Sequence, residues 1–204
     1  FRVMLMKYLY TLLSFLLLGG GLFARQPLNR YIDANRIYLD SRHGLGGELD
    51  WRMMKAGDVD EQAEKISRTT YDDSGWLPAI VPGTVLNSLV HNGVYPEPYY
   101  GINNKLEKGI IPDISKVGRD FYTYWFRTDF DITANYKDKV IWLQVDGINY
   151  RAEVWVNGNL LSTINGMFKQ DFINITEYAC IGESNALAIK AVSYTHLRAH
   201  ETKA

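Results

Sequence analysis

The stretch Tyr95-Pro96-Glu97-Pro98-Tyr99-Tyr100-Gly101-Ile102-Asn103-Asn104 concentrates residue types that can hold a small polar ligand. Tyr99 and Tyr100 offer flat faces on which a ring can stack, and hydroxyls that can orient it. Glu97, Asn103 and Asn104 add acceptors and donors for hydroxyl groups. The competing reading is structural: Pro96 and Pro98 stiffen a loop whose tyrosines pack on the body of the domain or on a neighbour. Other residue types that could do chemistry lack a supporting pattern. None of the carboxylates Glu97, Asp113, Asp120 or Glu153 sits in a motif for acid, base or nucleophile, so no catalytic residue is assigned. His196 and His200 have the i, i+4 spacing of a metal pair, but they lie in a tail without strand or helix logic, and no metal site is expected there. The single cysteine, Cys180, excludes an internal disulfide and is expected to be a small buried apolar residue. Asn174-Ile175-Thr176 fits a glycosylation acceptor, a three-residue match that is common by chance.

These residues need a scaffold, and the composition points to strands. Fourteen Tyr and five Trp in 204 residues favour β structure over helix. A net charge of −1 gives no field that would recruit nucleic acid or an anionic membrane surface. The length suits one ordinary domain plus a leader. Lys7, the apolar run Tyr8 to Leu18, Gly19-Gly20-Gly21 and Ala24 have the order of a signal peptide, so residues 1–24 are expected to be removed. That run is too short and too broken for a stable membrane span of about 20 residues. Phe1-Arg2-Val3 precede the first methionines, Met4 and Met6, which are the expected initiators. At the other end, residues 192–204 resemble a translated sequencing adapter, which leaves a polar segment at 25–47 and one domain at 48–191.

Within that domain, Asp50 to Met54 and Leu77 to Val81 read as short strands. Asp58 to Lys65 is charged and reads as a solvated loop or a helical turn. Thr84 can cap a short helix from Val85 to His91, ended by Asn92-Gly93. Pro96 to Pro112 is a long ordered loop, a feature that is often functional. From Asp120 the pattern is β. Phe121, Thr123, Trp125 and Arg127 alternate with Tyr122, Tyr124, Phe126 and Thr128. Val140 to Val145 reads as a strand buried on both faces. Asn157-Gly158, flanked by Ala152 to Val156 and Leu160 to Thr163, predicts a type I′ hairpin. Lys169 to Ile175 and Ala186 to Ala191 complete the set. Seven or eight short strands at this spacing indicate an all-β sandwich with one short helix. Pattern alone leaves jelly-roll and immunoglobulin-like topologies open. Trp125, Trp142 and Trp155 are expected to be buried, Trp76 to anchor the sandwich edge, Asn149 and Tyr150 to fix the turn before a strand, and Arg127 to meet a cross-strand carboxylate.

Five blocks in order carry a resemblance: Trp76 with Val81 to Leu86; Tyr95 to Asn103; Tyr124 to Phe130; Val145 to Gly158 continuing to Gly166-Met167-Phe168 and Asp171 to Thr176; and Asn185 to Ile189. Together they resemble the N-terminal sugar-binding domain of glycoside hydrolase family 2, in the branch of exo-β-glucosaminidases, β-mannosidases and endo-β-mannosidases. The resemblance implies a galactose-binding-like jelly roll. It implies a non-catalytic part of a secreted or periplasmic β-glycosidase, with no metal or organic cofactor. The family's two catalytic carboxylates sit in a later barrel domain, the expected intramolecular partner, which shares with this domain a β-linked glycan substrate. In the family, the loop corresponding to Glu97, Tyr99, Tyr100, Asn103 and Asn104 reaches the barrel mouth and helps wall the sugar pocket. Here Glu97 stands where the family usually has Asp. The alternatives are a free-standing carbohydrate-binding module and a purely structural interaction domain. The sugar, the linkage and exo or endo action stay open.

Overall fold

The computed structural model describes residues 3–8, 36–41, 49–105, 109–118 and 120–192. Two antiparallel sheets face each other as a jelly-roll β-sandwich of the galactose-binding-like kind. One sheet has four strands in the order β2 (Arg36–Leu39), β1 (Val3–Tyr8), β6 (Val140–Val145) and β9 (Asp171–Asn174). The other has six, in the order β4 (Leu77–Pro78), β3 (Arg52–Lys55), β5 (Tyr124–Asp131), β10 (Ser184–Val192), β7 (Arg151–Val156) and β8 (Asn159–Asn165). Ile141, Leu143, Val145 and Ile173 meet Phe126, Phe130, Val154, Val156, Leu187 and Ile189 between the sheets. Each such fully buried side chain contributes roughly 1.5–3 kcal/mol.

The two faces of β5 explain its alternation. Phe126 and Phe130 enter the sandwich core, while Trp125 joins a second, outer cluster with Ile66, Trp76, Trp155 and Ala188. The segment carrying α1 (Ala63–Ile66) covers that outer face. Arg127 fastens it. Its guanidinium is 2% exposed, and it is held by two carboxylates and two carbonyls. Nε donates to Ile66 O at 3.0 Å, one Nη to Asp73, and the other to Arg68 O and Asp129 Oδ1, both at 2.8 Å. The expected cross-strand carboxylate is therefore corrected. Residue 52 opposite Arg127 is itself an arginine, and the acidic partners come from a loop and from the same strand.

The Asn157-Gly158 hairpin forms as read, with φ of +49° and +87°. Asn157 Nδ2 donates to Tyr178 O and Asn185 Oδ1, both at 2.7 Å, tying the turn to the approach of β10. The helix α2 (Val85–His91) begins where Thr84 Oγ1 accepts from Asn87 N at 3.0 Å. The strand read at Leu77 to Val81 is only two residues long, because Val81 is bonded to Ser41 instead of a neighbouring strand: Val81 N donates to Ser41 Oγ at 2.8 Å, and Ser41 N to Val81 O at 2.8 Å. β6 is buried on one face and half-buried on the other, so the reading of two buried faces is corrected, and Trp142 is half-buried. Cys180 is exposed. Asn185 takes the interior position instead, donating to Cys180 O at 2.9 Å and accepting from Cys180 N at 2.7 Å. β2 lies inside the segment read as polar, and β1 inside the segment read as a leader. Residues 9–24, with the expected cleavage point at Ala24, and the tail beyond Val192, with His196 and His200, lie outside the described residues. Among the described residues, no helix is long and apolar enough to cross a membrane.

Replacing Arg127 by Met should destabilise the domain by about 3 kcal/mol, because Asp73 and Asp129 lose their buried counter-charge and two carbonyls lose their donor. Arg127→Lys should recover only part of this, since one ammonium cannot span four acceptors. Urea denaturation measures both, and a lysine variant as stable as the parent would refute this account of the guanidinium.

Candidate functional site

The loop that follows α2 is fixed by its own backbone. Val94 N donates to Leu89 O at 2.9 Å, so the chain turns back over the helix end. Glu97 O accepts from Tyr100 N at 3.2 Å and from Asn103 Nδ2 at 2.9 Å. Ile111 N donates to Asn103 O at 3.2 Å, which closes the far side. Gly109 sits inside that closure. A Cβ there would lie 2.5 Å from Asn103 O and 2.6 Å from Lys105 O, both rigid backbone atoms, so the loop can close only around a residue without a side chain. Tyr122, just before β5, donates its hydroxyl to Pro112 O at 2.6 Å and anchors the loop's return to the sandwich.

All five candidate residues lie on this loop, but they do not converge equally. Tyr99 is 94% exposed and Tyr100 78% exposed, so neither is consumed by packing on the sandwich. Glu97 is exposed, and Oε1 accepts from Tyr99 N at 3.4 Å. Asn103 is half-buried, and its amide N–H serves the loop rather than a ligand. Asn104 is exposed and alone among the five lines a cavity of about 590 Å³.

Sequence reasoning did not find that cavity, because its walls come from segments far apart in the chain. Buried Ile111, Phe126, Ile148 and Ala191 make an apolar floor. Exposed Thr84, Asn104, Lys105 and Asn149 stand around the mouth, and half-buried Asp113 has its Oδ2 out of reach of water. The turn carrying Ile148 and Asn149 is pinned from two sides: Tyr150 N donates to Val192 O at 3.2 Å, and Gly166 N donates to Tyr150 O at 2.9 Å. Beyond that turn, Phe168 is held at a φ of +61° with its ring 95% exposed. The only hint in the sequence was that Gly147 to Asn149 and Val81 to Leu86 both belonged to blocks of the resemblance. Among the described residues, no cluster of three or more His, Cys, Asp or Glu could hold a metal.

Burial, followed by the neighbouring Tyr95, Tyr124 and Asp113, pushes the Tyr122 phenol up to about 12. Between pH 10 and 12 the unfolded chain sheds this proton and the folded chain keeps it, so stability falls as the pH rises through that window. The loss reaches about 2–3 kcal/mol by the top of the window. Tyr122→Phe should cost about 1 kcal/mol at neutral pH and flatten the alkaline decline. Denaturation midpoints across the window measure both, and an unchanged alkaline slope would show that Tyr122 is not its source.

Residues 51–204 match the family model described as the glycosyl hydrolase 2 galactose-binding-like domain. The mannosylglycoprotein endo-β-mannosidase of Lilium longiflorum is 39% identical over 125 residues, which is 59% of this chain and 13% of that protein. The exo-β-D-glucosaminidase of Amycolatopsis orientalis is 28% identical over 128 residues, covering 61% of this chain and 11% of its own length. The crystal structure of the Amycolatopsis orientalis exo-chitosanase aligns with a TM-score of 0.58 at 26% identity, over 70% of this chain and 16% of that one. The chain thus spans less than a fifth of the relatives it matches. It belongs to the galactose-binding-like domains of glycoside hydrolase family 2.

Proposed function

We propose that this chain is the non-catalytic sugar-binding domain of a secreted β-glycosidase of the β-mannosidase or exo-β-glucosaminidase type. One observation carries the reading: Tyr99 and Tyr100 stand in solvent on a loop whose turns are held by several backbone hydrogen bonds, so their faces remain available to a pyranose and to the domain that holds it. Asn104 and the Glu97 carboxylate add polar groups for sugar hydroxyls, and Asn103 closes the same loop through Glu97 O and Ile111 N. In a retaining parent, one carboxylic acid protonates the leaving oxygen, and a carboxylate about 5–5.5 Å away forms the glycosyl intermediate that water opens. Two acidic residues of this domain have shifted acidity. Burial raises Asp129 against the pull of Arg127, and the Ser74 hydrogen bonds lower Asp72. Neither residue lines the cavity.

The residues for a leader are Lys7, the run to Leu18 and the break before Ala24. Cleavage there would remove β1 and leave β2 and β6 as facing edges. The mass of the secreted product is expected to begin at Arg25, and a product retaining Met4 or Met6 would overturn secretion by this leader.

The sugar-contact reading is tested by grafting residues 51–192 in place of the matching domain of the Amycolatopsis orientalis exo-β-D-glucosaminidase. The chimera should hydrolyse a β-glucosaminide. Tyr99→Ala, Tyr100→Ala and Asn104→Ala in it should each lower kcat/KM about tenfold, or about 1.4 kcal/mol. Thermal midpoints should hold, because the substituted side chains are exposed. Unchanged kinetics would reject the loop as a sugar contact. Hydrolysis by the 204-residue chain alone would reject the non-catalytic reading, and tight selective glycan binding by it would favour a free-standing carbohydrate-binding module.

A further inference from the structure

The motif Asn174-Ile175-Thr176 has no part in the loop or the cavity, and the three residue types alone are a weak signal. The fold adds two features to it. The first is the turn in which it sits. Asn174 is exposed and is the last residue of β9, the outermost strand of its sheet. Its side-chain Oδ1 accepts from Thr176 N at 3.0 Å and from the Thr176 hydroxyl at 2.6 Å. That hydroxyl also accepts from Ile141 N at 2.9 Å, which clamps the turn to β6. Both bonds of the Asn174 carboxamide therefore use its oxygen, and Nδ2 is left toward solvent. A bond formed at Nδ2 would keep Oδ1 as an acceptor, so the turn would survive modification.

The second feature is the ring beside it. Phe172 lies two residues earlier on the same strand, so it shares a face of the sheet with Asn174 at a distance of about 7 Å. Burial agrees: Ile173 between them is 8% exposed and Phe172 is 49% exposed. Half-buried Trp142 is the cross-strand partner of Asn174. A sugar joined to Nδ2 could lay its apolar C–H face back over the Phe172 ring. A bare turn accounts for Thr176 and for the Asn174 oxygen, but it uses neither the outward nitrogen nor the adjacent ring. We propose that Asn174 is the acceptor of an N-linked glycan whose first sugar packs on Phe172. In the transfer, Nδ2 attacks C1 of an oligosaccharide carried on a lipid pyrophosphate. The C1–Nδ2 bond forms and the C1–O bond breaks. The lipid pyrophosphate leaves with the electron pair, and Nδ2 gives up one proton to a base of the transferase. The proposal rests on the reading of the chain as secreted, because such a transferase acts on chains crossing a membrane.

The test expresses the 204-residue chain in a eukaryotic secretory host, once with its own N-terminus and once with a host leader placed before residue 1. Peptide mass spectrometry then reads residue 174. The secreted chain should carry a glycan at Asn174 that peptide N-glycosidase removes, leaving aspartate there, and Asn174→Gln should abolish it. The glycan is next trimmed to its first sugar, and urea denaturation is compared before and after its removal, in the parent and in Phe172→Ala. Removal should lower the folding equilibrium constant of the parent about fivefold more than that of Phe172→Ala, the excess being the contact between sugar and ring. Secreted chain with bare Asn174 would overturn the acceptor site, and equal losses in the two backgrounds would overturn the packing on Phe172. A chain that is secreted and glycosylated only behind the host leader would uphold the site and reject the chain's own leader, so the two readings fail separately.

Discussion

One buried cation organises the outer half of this domain. The Arg127 guanidinium presents a planar fork of donors, and the chain supplies a matching set of acceptors from Ile66, Arg68, Asp73 and Asp129. Three of these lie 54 to 61 residues away in sequence, so the fork converts a distant charged segment into a lid on the six-stranded sheet. Beneath the lid, Trp76, Trp125 and Trp155 lose contact with water. Tyr71 meets Trp76 edge-on at 5.6 Å and stands 5.8 Å from the Arg127 carbon, so aromatic packing and the ion cluster reinforce one another. Without the lid, the same tryptophans would form an exposed apolar patch of the size that drives association. The arrangement also reaches the hairpin. Gly158 N donates to Ser67 O at 3.1 Å, and a side chain at Gly158 would meet the Arg68 guanidinium.

What could be read from the sequence follows from how local each determinant is. The helix at Val85 to His91 needs only Thr84 before it and Asn92-Gly93 after it, and both are adjacent. The hairpin at Asn157-Gly158 needs two residues at positive φ, which the dipeptide itself supplies. By contrast, the shortening of the strand at Leu77 depends on Ser41, 40 residues upstream. The partners of Arg127 and the exposure of Cys180 are equally non-local, the latter because Asn185 satisfies both backbone groups of Cys180 and takes the interior. The alternation along β5 was visible in the sequence, but not that its second face is covered by a separate segment.

The site divides in the same way. The residue types of the loop from Tyr95 to Asn104 were informative because they are contiguous. Its rigidity was not, since that depends on Gly109 fitting between Asn103 and Lys105 and on Tyr122 holding Pro112. The cavity was invisible because the first turn of α2, the far limb of the loop, β5, the turn before β7 and the end of β10 each contribute only one or a few residues. No window of sequence contains it.

These observations bear on why a sandwich domain would keep aromatic side chains in water. Two exposed tyrosines on a floppy loop would have little consequence, since ordering them on contact would cost conformational entropy. Here part of that cost has already been met during folding: several of the loop's backbone groups are paired, Gly109 is wedged between Asn103 O and Lys105 O, and Pro112 O is held by the Tyr122 hydroxyl. Phe168 also stands in solvent, at a backbone angle that most residues avoid. Tyr99, Tyr100 and Phe168 thus reach solvent from turns that the fold itself sets, which separates their exposure from any looseness of the sandwich.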